Sequence, residues 1–319
     1  MPLNVAILRA LIDDSKQQAE LRRATGSPAQ TTLRAQLKRL VEIDAIEKHR
    51  RNRFPGILEY ELTESGHGLI VVADVLERWL RRAPEGPLGI ESNAAKAAIK
   101  ALAVAWSSTM LRALAAGPLS LTELDRVIVS LSYPALERRL TAMRLSGQLE
   151  ASRSCGRGTP YAVTGWLRHG IAPLAVAARW ERQHIPHETT PIGRLDVETA
   201  FLLTVPMLRP PQELYGSCRL AAEIANGKRR RLAGVVVEVE GGAIGSCTTN
   251  LDGNVAAWAL GNSMAWLNAV IEGGANDLEL SGDHALARAL IGRLHEALFG
   301  TNRILALDSD GTIEEDKSN

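Results

Sequence analysis

ILRALIDDSKQQAELRRATGSPAQTTLRAQLKRLVEIDAIE, residues 7–47, decides the fold because the chain carries it twice. The second copy, residues 110–150, reads MLRALAAGPLSLTELDRVIVSLSYPALERRLTAMRLSGQLE and aligns without a gap at an offset of 110 − 7 = 103. Identities fall at Leu8/Leu111, Arg9/Arg112, Ala10/Ala113, Leu11/Leu114, Glu20/Glu123, Leu21/Leu124, Arg23/Arg126, Leu33/Leu136, Leu37/Leu140 and Glu47/Glu150. The match resumes at Tyr60/Tyr161, Thr63/Thr164, Arg78/Arg179 and Trp79/Trp180, now offset by 161 − 60 = 101. The copies therefore differ in length only between Glu47 and Tyr60, and a length change confined to one spot marks a loop. Each copy reads helix, helix, helix, hairpin, helix. That is the order of a winged helix-turn-helix, so the sequence predicts two DNA readers in series.

In the first copy, Val5, Leu8, Leu11 and Ile12 follow helical spacing, and Ser15 is positioned to cap a second helix from about Lys16 to Ala24. Gly26 breaks the chain, and Ser27 with Pro28 reads as an N-cap and first-turn proline. Leu33, Leu37, Leu40 and Val41 form the buried stripe of a third, recognition helix. Its outward candidates for DNA contact are Ser27, Gln30, Thr31, Arg34 and Lys38, all able to bond a base edge or a phosphate. A strand over 46–49, a tip carrying Arg50, Arg51 and Arg53, and a return strand over 58–62 make a basic wing. In the second copy Leu136, Leu140 and Met143 point inward, while Ser132, Tyr133, Arg138 and Arg139 are outward candidates. Its wing, over 153–159, supplies Arg153 and Arg157. Glu137 sits where a phosphate contact would be wanted, which weakens this copy as a reader.

Pro55, LEYELTESG at 58–66 and the closing Trp79 resemble the HxlR-type winged-helix regulators. LSYPALERRLTAMRLSGQLEASR at 131–153, TPYAVT at 159–164 and Trp180 resemble the same family, with a departure at Gly165-Trp166-Leu167. The resemblance covers roughly residues 3–183. Members of that family work as homodimers whose terminal helices pair, which implies that the two copies here pair within one chain as a pseudo-dimer. The implied partner is double-stranded DNA, bound by a monomer acting as a pseudo-dimer or by a homodimer.

Beyond a proline-rich connector at 185–212, partly packed through Phe201 to Leu208, the pattern becomes alternating strands followed by helices. Val235, Val237 and Val239 alternate, Glu240-Gly241-Gly242 turns the chain, and residues 244–248 return. A strand over 255–260, a helix capped by Asn262, a strand over 277–280 and a helix capped by Asp283 complete an antiparallel α+β domain. MAWLNAVIEGGAND at 264–277, LELSGD at 278–283 and ALARALIGRLHEALFG at 285–300 resemble the sterol-carrier-protein type 2 fold. That resemblance implies an apolar tunnel near Trp258, Met264, Trp266, Ile271 and Leu290, hence a hydrophobic small-molecule effector. The alternative for each of these residues is simple core packing.

The expected fold is mainly α with α+β: a first winged helix-turn-helix at 1–84, a linker helix and second one at 85–184, the connector, an SCP2-like domain at 213–302 and an acidic tail at 303–319. A net charge of +1 over 319 residues gives no global basic signal, so any nucleic-acid surface must be local. Cys155, Cys218 and Cys247 form no CxxC pair, and no apolar run is long enough to span a bilayer. These features suit a reduced, cytoplasmic protein without membrane partners. The histidines fit no metal-binding spacing and no phosphate loop or nucleophile elbow occurs, so no enzyme activity, cofactor or metal is expected. Cys155, flanked by Arg153 and Arg157, is a redox candidate if exposed. The rival reading is a lipid carrier whose winged helices serve only protein contacts.

Overall fold

The computed structural model describes residues 2–51, 57–106, 109–152, 158–185, 189–226 and 229–300. The first unit runs α1 (Pro2–Ala10), β1 (Lys16–Gln17), α2 (Gln18–Ala24), α3 (Gln30–Glu42), β2 (Ile46–Arg51), β3 (Ile57–Leu62) and α4 (Glu64–Arg81). A helix α5 (Asn93–Trp106) leads to a second unit: α6 (Thr109–Ala116), β4 (Leu119–Ser120), α7 (Leu121–Val127), α8 (Tyr133–Leu145), β5 (Leu149–Ala151), β6 (Pro160–Val163), α9 (Gly165–His169) and α10 (Ile171–His184). The third part holds α11 (Arg194–Thr204), a 3₁₀ turn at Val205–Met207, β7 (Tyr215–Asn226), β8 (Arg229–Glu240), β9 (Ala243–Thr248), β10 (Ala257–Asn262), α12 (Ser263–Glu272), β11 (Glu279–Gly282) and α13 (His284–Phe299).

The repeat in sequence is a repeat in hydrogen bonds. Each unit has a three-stranded sheet in the same order, β1-β3-β2 and β4-β6-β5. Lys16 pairs with Tyr60 as Leu119 pairs with Tyr161, and Ile46 pairs with Leu62 as Leu149 pairs with Val163. Glu20 caps the Gln17 amide at 2.8 Å, and Glu123 caps the Ser120 amide at 2.8 Å. After α3 the chain turns through Asp44 at φ 55, and after α8 through Gly147 at φ 75. Thr63 then caps α4 by accepting from the Gly66 amide, as Thr164 caps α9 by accepting from the Leu167 amide. Leu33, Leu37 and Leu40 bury one stripe of α3, and Leu136, Leu140 and Met143 bury the matching stripe of α8.

Several local readings change. Lys16 and Gln17 pair with Tyr60 and Glu59, so the second helix starts at Gln18, and Ser15 donates to Glu59 at 3.0 Å instead of capping. Ser27 does not cap α3. The chain leaves α2 through left-handed Gly26 and Ser27 (φ 80 and 55), and Ala29 takes the N-cap position. Ser132 is the N-cap residue of α8 but makes no side-chain cap bond. The helix matching α4 is split into α9 and α10, because Pro173 two residues into α10 lacks the amide that would continue the ladder from α9. The connector contains the helix α11, several of whose residues, including Phe201, Leu202 and Leu203, are buried.

The C-terminal sheet is mixed, not antiparallel. Its order is β11-β10-β7-β8-β9, and β10 runs parallel to β7. β9 is short and ends at Thr248, level with Val236 and thus with Arg219 of β7, so residues 249–256 suffice to cross the sheet and start β10 at Cys218. Cys218, Leu220 and Ala222 of β7 lie beside Val237, Val235 and Ala233 of β8 on the buried face, which α11, α12 and α13 cover.

α4 and α10 pack against each other and join the two units. Trp79 and Trp166 stack with centroids 4.4 Å apart and planes 6° off parallel. The Trp79 indole N–H donates to the Trp166 carbonyl at 2.8 Å, and the Trp166 indole donates to the Trp79 carbonyl at 2.8 Å. The Trp180 indole donates to the Ser65 carbonyl at 2.7 Å. Trp180 is the repeat partner of Trp79, and Ser65 that of Trp166, at 166 − 65 = 101. The same donor-to-carbonyl contact is thus made in both directions, the exchange pattern of a two-fold interface. Gly68 admits this approach, since a Cβ there would lie 2.7 Å from Trp180 Cδ1. The α4 residues Val75, Leu76, Trp79 and Leu80 belong to the core of the second and third parts, not to that of the first unit.

The third part shares one continuous apolar core with this pair, and charged contacts add to it. Buried Glu198 of α11 takes Arg112 Nε at 2.5 Å and also pairs with Arg194. Arg168 Nη1 donates to the Leu203 carbonyl at 2.8 Å. The repeat partners Arg78 and Arg179 both reach helix ends of the third part, Arg78 at the Phe299 carbonyl (3.5 Å) and Arg179 at Glu272 (2.9 Å).

Replacing Trp79 by Phe orphans the buried Trp166 carbonyl, with an expected loss of about 1–3 kcal/mol in urea denaturation. Trp180→Phe releases a less buried contact and is expected to cost less, about 0.5–1.5 kcal/mol. Unchanged denaturation midpoints in both variants would contradict the structural role given to this interface.

Candidate functional site

The outward face of α3 is polar and open. Gln30, Thr31, Arg34 and Lys38 are exposed, and Ser27 is exposed in the turn before the helix. The helix places them on one side because its Leu stripe is held against Ile7, Leu21 and Ile46. Lys38 pairs loosely with Glu42 at 3.6 Å, a solvated contact that leaves the ammonium available. Burial raises the Tyr60 hydroxyl above its usual range, and the nearby Arg34 cation opposes that shift. Arg34 thus stands between the helix and the wing sheet. Arg50 is exposed on β2; Arg51 ends that strand, its side chain outside the described set, and Arg53 lies outside the described residues.

The wing base carries a feature that the sequence reading missed. His49 Nε2 lies 2.9 Å from Glu47 and 3.4 Å from Glu61, all three exposed. The signal was present, because Glu47 and His49 share a strand face at i, i+2 and Glu61 pairs opposite Glu47. The two carboxylates temper the positive charge of the wing.

On α8, Tyr133 and Arg138 are exposed, Ser132 is exposed just before them, and Arg139 is half-buried. Arg138 folds back to donate to the Pro134 carbonyl at 3.2 Å, and Glu137 is exposed on the same helix. This face is less cationic than that of α3. Arg153, Arg157 and Cys155 lie outside the described residues.

The five C-terminal candidates are not brought together. Trp258 pairs with Arg219 and points to the sheet face away from the helices. Ile271 and Leu290 are core residues, and Met264 is half-buried. Of the five, Trp266 alone is among the residues lining a cavity of about 700 Å³. That cavity lies where α10 meets the third part, walled by α10 on one side and by α11, α12, α13 and Ala222 of β7 on the other, with Leu69 and Val72 of α4 at its edge. Sequence patterning could not show it, because its walls come from three separate parts of the chain.

Cys218 and Cys247 are free thiols, both pushed up to about 12 by burial, with Asp283 adding to the shift at Cys218. They are therefore protonated near neutral pH and poor nucleophiles. Among the described residues no helix is long and apolar enough to cross a membrane.

Residues 3–85 match the HxlR-like helix-turn-helix family, so the first unit is a domain of that type. Among solved structures, the chain is similar to the reduced form of the transcriptional regulator YodB from B. subtilis, at 27% identity over 26% of this chain and 80% of that one, with a TM-score of 0.25. No curated protein matches.

Native protein treated with iodoacetamide at pH 8 is expected to leave Cys218 and Cys247 unmodified, and to label both after denaturation. Rapid native labelling of either, read by peptide mass, would contradict the burial that raises these thiols.

Proposed function

We propose that this chain is a DNA-binding transcription regulator whose two repeated units act as an intramolecular pseudo-dimer. The observation that carries this reading is the two-way tryptophan contact of α4 with α9 and α10, which joins an HxlR-like helix-turn-helix domain to a unit with the same strand order, caps and turn. In this reading α3 and α8 enter successive major grooves of double-stranded DNA, and the hairpins contact the flanking backbone. The first unit supplies most of the affinity, because Arg34, Lys38 and Arg50 are free to neutralise phosphates while Arg138 is folded back. We read the third part as an SCP2-like domain and assign to it control of the paired helices by a hydrophobic small molecule. The protein works in the cytoplasm without catalysis.

A carrier reading, in which the helix-turn-helix units serve protein contacts only, draws on the 700 Å³ cavity. Salt separates the two, because phosphate contacts release counterions and affinity then falls steeply with ionic strength. A duplex selected from a random pool should bind with such a dependence. Arg34→Ala combined with Lys38→Ala should weaken binding at least tenfold and reduce the log–log salt slope by about 0.9 for each phosphate no longer neutralised. A salt-independent interaction, or none, would remove the regulator reading.

A further inference from the structure

The cavity of about 700 Å³ falls within the volume range of sites for drug-sized molecules. Its walls are apolar and include three aromatic rings, Trp180, Phe201 and Trp266. These rings are fixed before any ligand arrives. Trp180 is held by the Ser65 carbonyl at 2.7 Å and Trp266 by the Ala221 carbonyl at 2.7 Å, and Phe201 meets Trp266 edge-on at 5.0 Å and 82°.

Among the described residues, the charged groups at the cavity are Glu181, Asp196 and Arg182. Arg182 is occupied, donating to the Ala178 carbonyl at 3.1 Å and to the Thr190 carbonyl at 2.9 Å. Asp196 spends one oxygen on the Gly193 amide at 2.8 Å. The Glu181 carboxylate makes no hydrogen bond or ion pair among the described residues. Two acidic residues therefore line the cavity beside one arginine whose donors are partly spent on carbonyls. Fixed aromatic faces with surplus negative charge suit a positively charged apolar molecule, through cation–π attraction and charge pairing.

We propose that this junction is a binding site for a lipophilic organic cation, with Glu181 as the charge partner and Trp180 and Trp266 as aromatic walls. This deepens the effector part of the proposed function and relies on that reading only for its consequence. The occupant would touch α10 and α4 together, and Trp180 both lines the site and makes the contact to Ser65. A ligand that prefers one arrangement of these helices shifts the relative placement of α3 and α8.

The test uses the full chain without DNA. Rhodamine 6G anisotropy should show saturable binding of one molecule per chain, displaced by tetraphenylphosphonium and not by oleate. Glu181→Gln should weaken rhodamine 6G about tenfold, the loss expected of one partly screened charge pair. Ala178→Trp, which fills the space, should abolish binding while circular dichroism stays that of the parent. Absence of rhodamine 6G binding to the parent chain, tighter binding of oleate, or indifference to Glu181→Gln would each overturn the assignment. A chain that binds the cation but no DNA keeps the site and removes the regulator reading; DNA binding without cation binding does the reverse.

Discussion

A buried indole N–H must find an acceptor, and at the junction of the two units each tryptophan finds it on the other copy. Trp79 and Trp166 exchange donors for carbonyls, and Trp180 repeats the contact at Ser65. Backbone carbonyls have a second lone pair, so these bonds need not disrupt the helices that carry the acceptors. They fix α4 against α10 in rotation and in register. That contact helps to set how α3 and α8 are placed relative to each other, together with α5, which packs on α8 and accepts from Gln148.

The departures from symmetry carry as much information as the symmetry. In the first unit Arg9 binds Asp74 and Glu77 of α4, which hold its guanidinium protonated. The repeat partners of those carboxylates are Ala175 and Ala178, so the matching Arg112 lacks both of these partners. It turns instead to buried Glu198 of α11. The same two alanines face the cavity. One pair of acid-to-alanine differences thus frees a cation to dock the third part and leaves open space beside α10. A buried ion pair such as Arg112–Glu198 adds little net stability, but removing one partner strands the other, which makes it a determinant of docking geometry.

The internal repeat was legible because both copies keep the residues that close hydrogen bonds: Glu20 and Glu123, Thr63 and Thr164, and the leucine stripes of α3 and α8. The caps Asn262 and Asp283 were equally plain, since each has a side chain that accepts from the first amides of its helix. Where reading failed, the deciding force was tertiary. Lys16 and Gln17 are drawn into a strand by Tyr60 and Glu59, and no local pattern encodes that pairing. The parallel placement of β10 depends on how short β9 is. The resemblance to the sterol-carrier fold implied Trp258 as a pocket residue, yet strand alternation sends it to the face opposite Trp266. The cavity escaped detection because residues near 70, 180, 200 and 266 meet only in the folded chain.

The central claim is that one chain already contains a complete two-fold reader. The mass of the complex between the full chain and a selected duplex, measured by light scattering or native mass spectrometry, tests it most directly. The account predicts one chain per duplex carrying two half-sites about one helical turn apart, roughly 34–36 Å between centres. Two chains on a duplex of two half-sites, each using a single recognition helix, would contradict it.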